Sequence, residues 1–242
     1  MQVFLNYSYL WNGIRRLGLT TNIRVHFNGD PSAQQFTDSL LKLGNGAIIP
    51  DNQDGCISMQ SIGRIVKTQQ EMKEAAFPNV AQHFNNYSWL YQRAILAPRN
   101  EDVNVMHKQI LQEFSGSFQV YKSIDNTCGI NEAANFPTEF LTNKLEPPGI
   151  PSHTLELKIG AQIILLMNLH LPSRCSGTRL CIKKLMSNII EATIIAGKAT
   201  GENVFIPRIP NIPSNSPFQF KRLHFPVRLS FAMSINKARG NP

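Results

Sequence analysis

The stretch Phe225-Pro226-Val227-Arg228-Leu229-Ser230-Phe231-Ala232-Met233-Ser234-Ile235-Asn236-Lys237-Ala238-Arg239-Gly240-Asn241-Pro242 decides the fold. Val227 to Met233 is β-rich, and Ser234 to Gly240 crowds a hydroxyl, an amide, two cations and a glycine into a polar turn. In α/β proteins ligand groups collect at such strand ends. The chain stops two residues after the glycine, without the helix that such a turn normally feeds.

The 242 residues, 42% of them hydrophobic, are enough to bury a real core in one large domain or two small ones. Formal charge is +8, unevenly placed: residues 1 to 143 hold 11 Lys/Arg against 12 Asp/Glu, and residues 144 to 242 hold 13 against 4. A basic C-terminal part suits a polyanion, because phosphates release counterions to a positive face. A merely solvated surface is the competing reading. Cys56, Cys128, Cys175 and Cys181 form no CxxC pair, so a metal site is not expected. The first 20 residues carry no uninterrupted apolar core, and Ile163 to Met167 is too short to span a bilayer, so a reducing intracellular setting without membrane contact is the default.

Upstream, Leu19 to Val25 is a short β-like run containing Arg24. Asp30 and Pro31 predict N-cap and N1 of a helix with Phe36, Leu40 and Leu43 on one face and Gly44 at its end. Thr68 and Glu71 form a capping-box pattern for a helix that stops before Pro78. The aromatic segment Phe84 to Tyr91 either packs or offers rings for base stacking. Arg93 to Ala97 reads as a buried strand, with Asn100 capping a helix whose Val103, Met106, Ile110 and Phe114 share a face. Phe118 to Lys122 is the next strand, so a βαβ unit with a parallel sheet is expected here.

From Phe136 the pattern changes. After a short helix (Phe136 to Leu141) and the break at Pro147-Pro148-Gly149, β-rich runs follow at Leu155–Ile159, Ala161–Leu169, Thr178–Met186, Ile189–Ala196 and Asn203–Ile209. Such spacing predicts a small barrel or sandwich inserted in the α/β layer.

Several phrases resemble one family, the petite-integration-frequency (PIF) DNA helicases of superfamily 1B and their PIF-like relatives. Phe225 to Lys237 resembles the family's motif V, FPVRLAFAMTINKSQGQ. Phe205 to Ile209 resembles VFIPRI, and Leu155 to Leu169 with Gly177 to Leu180 resembles LKxGxxVMLLxNL…NGTRL. Arg93 to Asn104 resembles RAILAPxNxxVxxxN, and Leu19 to Val25 resembles the motif IV sequence LTxNMRV. The matches run in family order over nearly the whole chain.

The resemblance implies an α/β fold: a partial RecA-like second motor domain with a small all-β, SH3-like barrel insert. Its implied parts are residues 1–25 (junction with a missing first RecA-like domain, including motif IV), 26–135 (domain 2A, first part), 136–215 (the 2B-like insert) and 216–242 (return to 2A, motif V). It implies the C-terminal half of a 5′-to-3′ ATP-dependent DNA helicase that binds single-stranded DNA and helps to sense ATP. By matched position Arg24 points at the γ-phosphate as an arginine finger, and Arg239 and Gly240 lie at the nucleotide. Ser234, where the family has Thr, contacts single-stranded DNA with Asn236 and Lys237. Arg239 replaces the family's Gln, so a donor-only cation stands where an amide could donate and accept. In the insert, Arg174, Arg179, Lys183 and Lys184 could line a phosphate-tracking groove or serve as solvated barrel surface.

No GxxxxGK[ST] loop occurs in the sequence, since Gly197-Lys198 lacks the flanking glycine and hydroxyl, and no carboxylate pair ends a strand to hold Mg²⁺. ATP and Mg²⁺ are cofactors of the complete family enzyme, and this chain alone is expected neither to bind them tightly nor to hydrolyse ATP. The family setting is nucleus or mitochondrion, in replication, repair, recombination and telomere maintenance. A non-catalytic nucleic-acid-binding module and a decayed helicase copy are the alternatives.

Overall fold

The computed structural model describes residues 13–15, 31–50, 55–83, 85–127, 151–169, 175–212 and 220–235. The chain divides into two compact units, Met1–Val66 and Lys67–Pro242.

The first unit holds helix α1 (Pro31–Gly44) and a 3-10 turn, Met59–Ser61. The helix has the bounds that Pro31 and Gly44 predict, but Gly46 is the left-handed residue, at φ 66°. Ala47 N–H reaches Lys42 O and Gly46 N–H reaches Leu43 O, the paired bonds of a Schellman stop. Phe36 and Leu40 share a face as expected and remain 52% and 43% exposed.

The second unit begins with α2 (Gln69–Ala76). Thr68 Oγ1 accepts the Glu71 N–H at 3.1 Å, and the Glu71 carboxylate accepts the Lys67 N–H at 2.8 Å, so the predicted cap forms with its return bond one residue early. A 3-10 turn (Val80–Gln82) and the short α3 (Tyr87–Tyr91) follow, the latter capped by Asn86. β1 (Ile95–Ala97) then leads into α4 (Asn100–Glu113). Asn100 does not cap this helix: it is the first helical residue, and Arg99 stands at the N-cap without a side-chain cap bond. Glu101 and Asp102 in the first turn suit the positive end of the helix instead.

The remaining strands are β2 (Gln119–Lys122), β3 (Ile124–Thr127), β4 (Thr154–Leu157), β5 (Gln162–Leu165), β6 (Arg179–Leu185), β7 (Ile189–Ile194), β8 (Asn203–Pro207), β9 (Ile209–Asn211), β10 (Phe220–His224), β11 (Val227–Leu229) and β12 (Ala232–Ser234). A five-stranded antiparallel sheet has the order β11-β5-β6-β7-β8. Its inner face supplies Ile163, Leu165, Leu180, Ile182, Ile190, Ala192, Ile194, Val204 and Ile206 to the core, alternating along each strand as one buried face requires. This core runs on through Val103, Met106 and Ile110 of α4 and through Phe225 and Phe231.

Two expectations of topology fail. The βαβ unit is not built from neighbouring strands: β2 pairs antiparallel with β4, and β1 finds its parallel partner in β12 at the far end of the chain. The closing run is not one strand either. β11 lies antiparallel on β5, and three residues further on β12 lies parallel on β1. Phe231 makes the crossing, its carbonyl accepting the Ile95 N–H at 2.9 Å and its ring meeting Phe77 edge-on at 5.7 Å.

β10, absent from the sequence reading, joins β3 and β9. It carries Arg222, whose side chain is wholly buried with that of Asp125. Arg222 Nε and Nη2 donate to the carboxylate at 2.7 to 3.2 Å, Nη1 donates to Pro151 O, and Ser123 Oγ donates to Asp125 at 2.7 Å. A charge pair taken this far from water requires such full hydrogen bonding. It fixes the strand that feeds β11 and β12.

Candidate nucleic-acid interface

Ser234 ends β12 opposite Ala97, which ends β1. The strands are parallel, so both carboxyl ends open on one edge, where Arg99 and α4 begin. That is the position at which open α/β sheets present ligand groups. β12 is held from behind by His107 of α4, whose Nε2 lies 3.1 Å from Ala232 N and 3.0 Å from Ala232 O. Burial, with a further push from the Arg228 charge, lowers His107 to about 4, so the ring is neutral. A neutral Nε2 accepts the Ala232 N–H or, as the other tautomer, donates to its carbonyl.

Asn236, Lys237, Arg239 and Gly240, which continue from Ser234, lie outside the described residues, as do Arg24 and Arg174. Of the expected site residues, Ser234, Arg179, Lys183 and Lys184 remain to be placed. Lys183 and Lys184 are both exposed on β6 because the register shifts between Ile182 and Lys184. The bulge inserts one residue, so two consecutive lysines face outward instead of alternating. Lys184 stands opposite Glu191 of β7, whereas Lys183 has no cross-strand partner in the register.

Arg179 has a different setting from the two lysines. Its Nη1 donates to Tyr91 O at 2.6 Å, and its Nη2 donates to Leu90 O, Arg93 O and Gln162 Oε1 at 2.9 to 3.3 Å. These carbonyls end α3, whose negative dipole end suits a cation. The guanidinium therefore ties α3 to the sheet, and its Nη donors face protein acceptors. The aromatic segment divides in the same way. Trp89 packs, stacked on His83 at 4.4 Å with Arg93 over its ring at 4.3 Å, while Tyr91 stays 50% exposed. Phe84 lies outside the described residues.

Sequence reasoning missed two features. Arg208, inside the Phe205–Ile209 phrase, lies over the Phe225 ring at 4.9 Å and donates to Lys122 O and Ser187 O. His224 is 2% exposed and lowered to about 4, first by burial and then by Arg208 and Arg222. No local pattern marks either, because both depend on long-range packing.

Among the described residues no group of three or more His, Cys, Asp or Glu could hold a metal, and no helix is long and apolar enough to cross a membrane.

Residues 139–185 match the family model described as DNA helicase Pif1, 2B domain. No curated protein matches the chain. Among solved structures, the Pif1 helicase from Candida albicans is similar at 19% identity and TM-score 0.56, over 88% of this chain and 46% of that one. Bacteroides Pif1 bound to ssDNA is 18% identical with TM-score 0.42, over 69% of this chain and 41% of that one. Pif1 helicase from Bacteroides in complex with ADP-AlF3 and ssDNA is 17% identical with TM-score 0.43, over 73% and 42%. The chain thus spans less than half the length of each of these proteins. The fold is thus similar to part of a Pif1 helicase, and residues 139–185 are similar to its 2B domain.

Proposed function

We propose that this chain serves as the single-strand-binding, C-terminal half of a Pif1-type 5′-to-3′ DNA helicase, and that without a phosphate-cradling loop it does not hydrolyse ATP by itself. The observation that carries the reading is the parallel pairing of β1 with β12, which sets Ser234 at a strand end just before Asn236 and Lys237. In this reading residues 26–135 and 216–242 form the second RecA-like domain and residues 136–215 the SH3-like 2B insert. Ser234, Asn236 and Lys237 grip the DNA backbone, with the bulge lysines Lys183 and Lys184 extending the basic track. Arg24, Arg239 and Gly240 face the triphosphate, and ATP with Mg²⁺ is completed by the first RecA-like domain, residues 1–25 forming the junction with it. The setting is intracellular, in nucleus or mitochondrion, with roles in replication, repair, recombination and telomere maintenance. Fluorescence anisotropy of a labelled oligo(dT) tests the reading. Salt-sensitive binding by the pure chain, with no ATP turnover, is expected; turnover by the chain alone contradicts it.

A further inference from the structure

Four of the eight buried side-chain polar atoms without a hydrogen-bond partner among the described residues lie on one small area of the five-stranded sheet: Arg228 Nε, Arg179 Nε, Gln162 Nε2 and Ser230 Oγ. Their proximity follows from the register. Arg228 stands beside Ile164, and Ile164 beside Arg179, so the two arginines flank Ile164 on the same face of β11, β5 and β6. One pair along, Ser230 N–H donates to Gln162 O, and Gln162 stands beside Cys181. Strand alternation puts Ser230 on the face of Arg228, and Gln162 on that of Ile164. Gln162 is 0% exposed and Ser230 1%, whereas Arg228 keeps partial access to solvent.

Three of the four unpaired atoms are N–H donors and the fourth is a hydroxyl that can donate, so what is left unsatisfied is chiefly donors. It is also positively charged without compensation. No carboxylate pairs with Arg228 or Arg179 among the described ion pairs. Cys181, in the same row, is pushed up to about 12 by burial and supplies no thiolate. One strand, β5, separates the arginines, roughly 10 Å between backbones; the Arg228 arm can reach across that gap toward the Arg179 Nε, whose Nη groups stay on their protein acceptors. Leaving a buried donor unmade costs the full desolvation of that group. An oxyanion with several acceptor oxygens answers both the charge and the donors.

The geometry points to a phosphoryl-oxyanion site formed by Arg228, Arg179, Gln162 and Ser230, separate from the Ser234 edge. The phosphoryl group comes either from the backbone of a bound single strand, which rests on the functional reading above, or from free phosphate.

The test is thermal melting of the 242-residue chain in inorganic phosphate against chloride of equal ionic strength, with oligo(dT) as competitor. Phosphate raises the melting temperature of the wild type by about 3 °C or more at saturation. Arg228→Gln abolishes that rise, whereas Lys221→Gln, an exposed control on β10, keeps it. Gln162→Glu supplies an internal negative charge and replaces the unpaired Nε2 donor with an acceptor oxygen, so it melts higher without phosphate and no longer responds to it; this keeps the test decisive should Arg228→Gln fold poorly. If oligo(dT) removes the phosphate response, the site belongs to the nucleic-acid backbone; if the response persists, it belongs to free phosphate. Either result supports the site, the second even if single-strand binding fails. An equal phosphate response in wild type, Arg228→Gln and Gln162→Glu, or no response beyond chloride, overturns it.

Discussion

Replacing Arg222 with Met leaves the Asp125 carboxylate wholly buried, with Ser123 Oγ still donating to it. The structure sets the magnitude. Both side chains are at 0% exposure, and three contacts of 2.7 to 3.2 Å to the carboxylate are lost together. Breaking a pair of this kind from one side costs about 3 to 5 kcal/mol, against a total of roughly 5 to 15 kcal/mol for a domain. With a urea slope near 2 kcal/mol/M the unfolding midpoint falls by about 2 M. The double variant Arg222→Met/Asp125→Leu removes the uncompensated charge and recovers most of the loss, because a buried pair contributes little net stability against an apolar replacement of similar volume. Urea denaturation followed by far-UV circular dichroism reads both. A single variant within 1 kcal/mol of wild type, or a double variant no better than the single, would refute the reasoning.

Acid sensitivity follows from His107 and His224, both lowered to about 4 by burial. Folded pKa values lie below the unfolded value, so the unfolded chain binds more protons between pH 6.5 and 4; stability is full above that window and falls as pH drops through it, by about 3 kcal/mol for His107. A urea midpoint flat across that window would contradict this. Thr68→Ala removes the acceptor of the Glu71 N–H and costs about 1 kcal/mol, read in the same denaturation assay. Lys183→Gln lowers the salt slope of single-strand binding by about 0.7, one phosphate contact, whereas Lys184→Gln changes it less because Glu191 faces it. Equal slopes for both variants would count against the bulge lysines as a DNA track.

What the sequence discloses here is whatever a local signal encodes. Pro31, Thr68 and the spacing of Val103, Met106 and Ile110 mark three helices because caps and helical periodicity act within a few residues. The runs from Leu155 to Ile209 read as strands for the same reason. Pairing is not local. Nothing near Arg93 says that its strand waits for Ala232, and nothing between Val227 and Met233 says that Ser230 and Phe231 separate two sheets. Arg222 reads as one more surface cation until β3 supplies Asp125, 97 residues away. Arg179 likewise reads as one more basic residue of the insert, and only the packing of α3 shows where its Nη donors go. The strand end at Ser234 was legible because the β-rich run gives way to polar residues there in the sequence.

The central claim is most directly tested by the affinity of the pure chain for oligo(dT) measured from 50 to 200 mM salt. The account predicts saturable binding with a log–log slope of about −2 to −4, corresponding to several phosphate contacts on a single strand. Binding that is absent at 50 mM salt, or that does not change with salt, would contradict it.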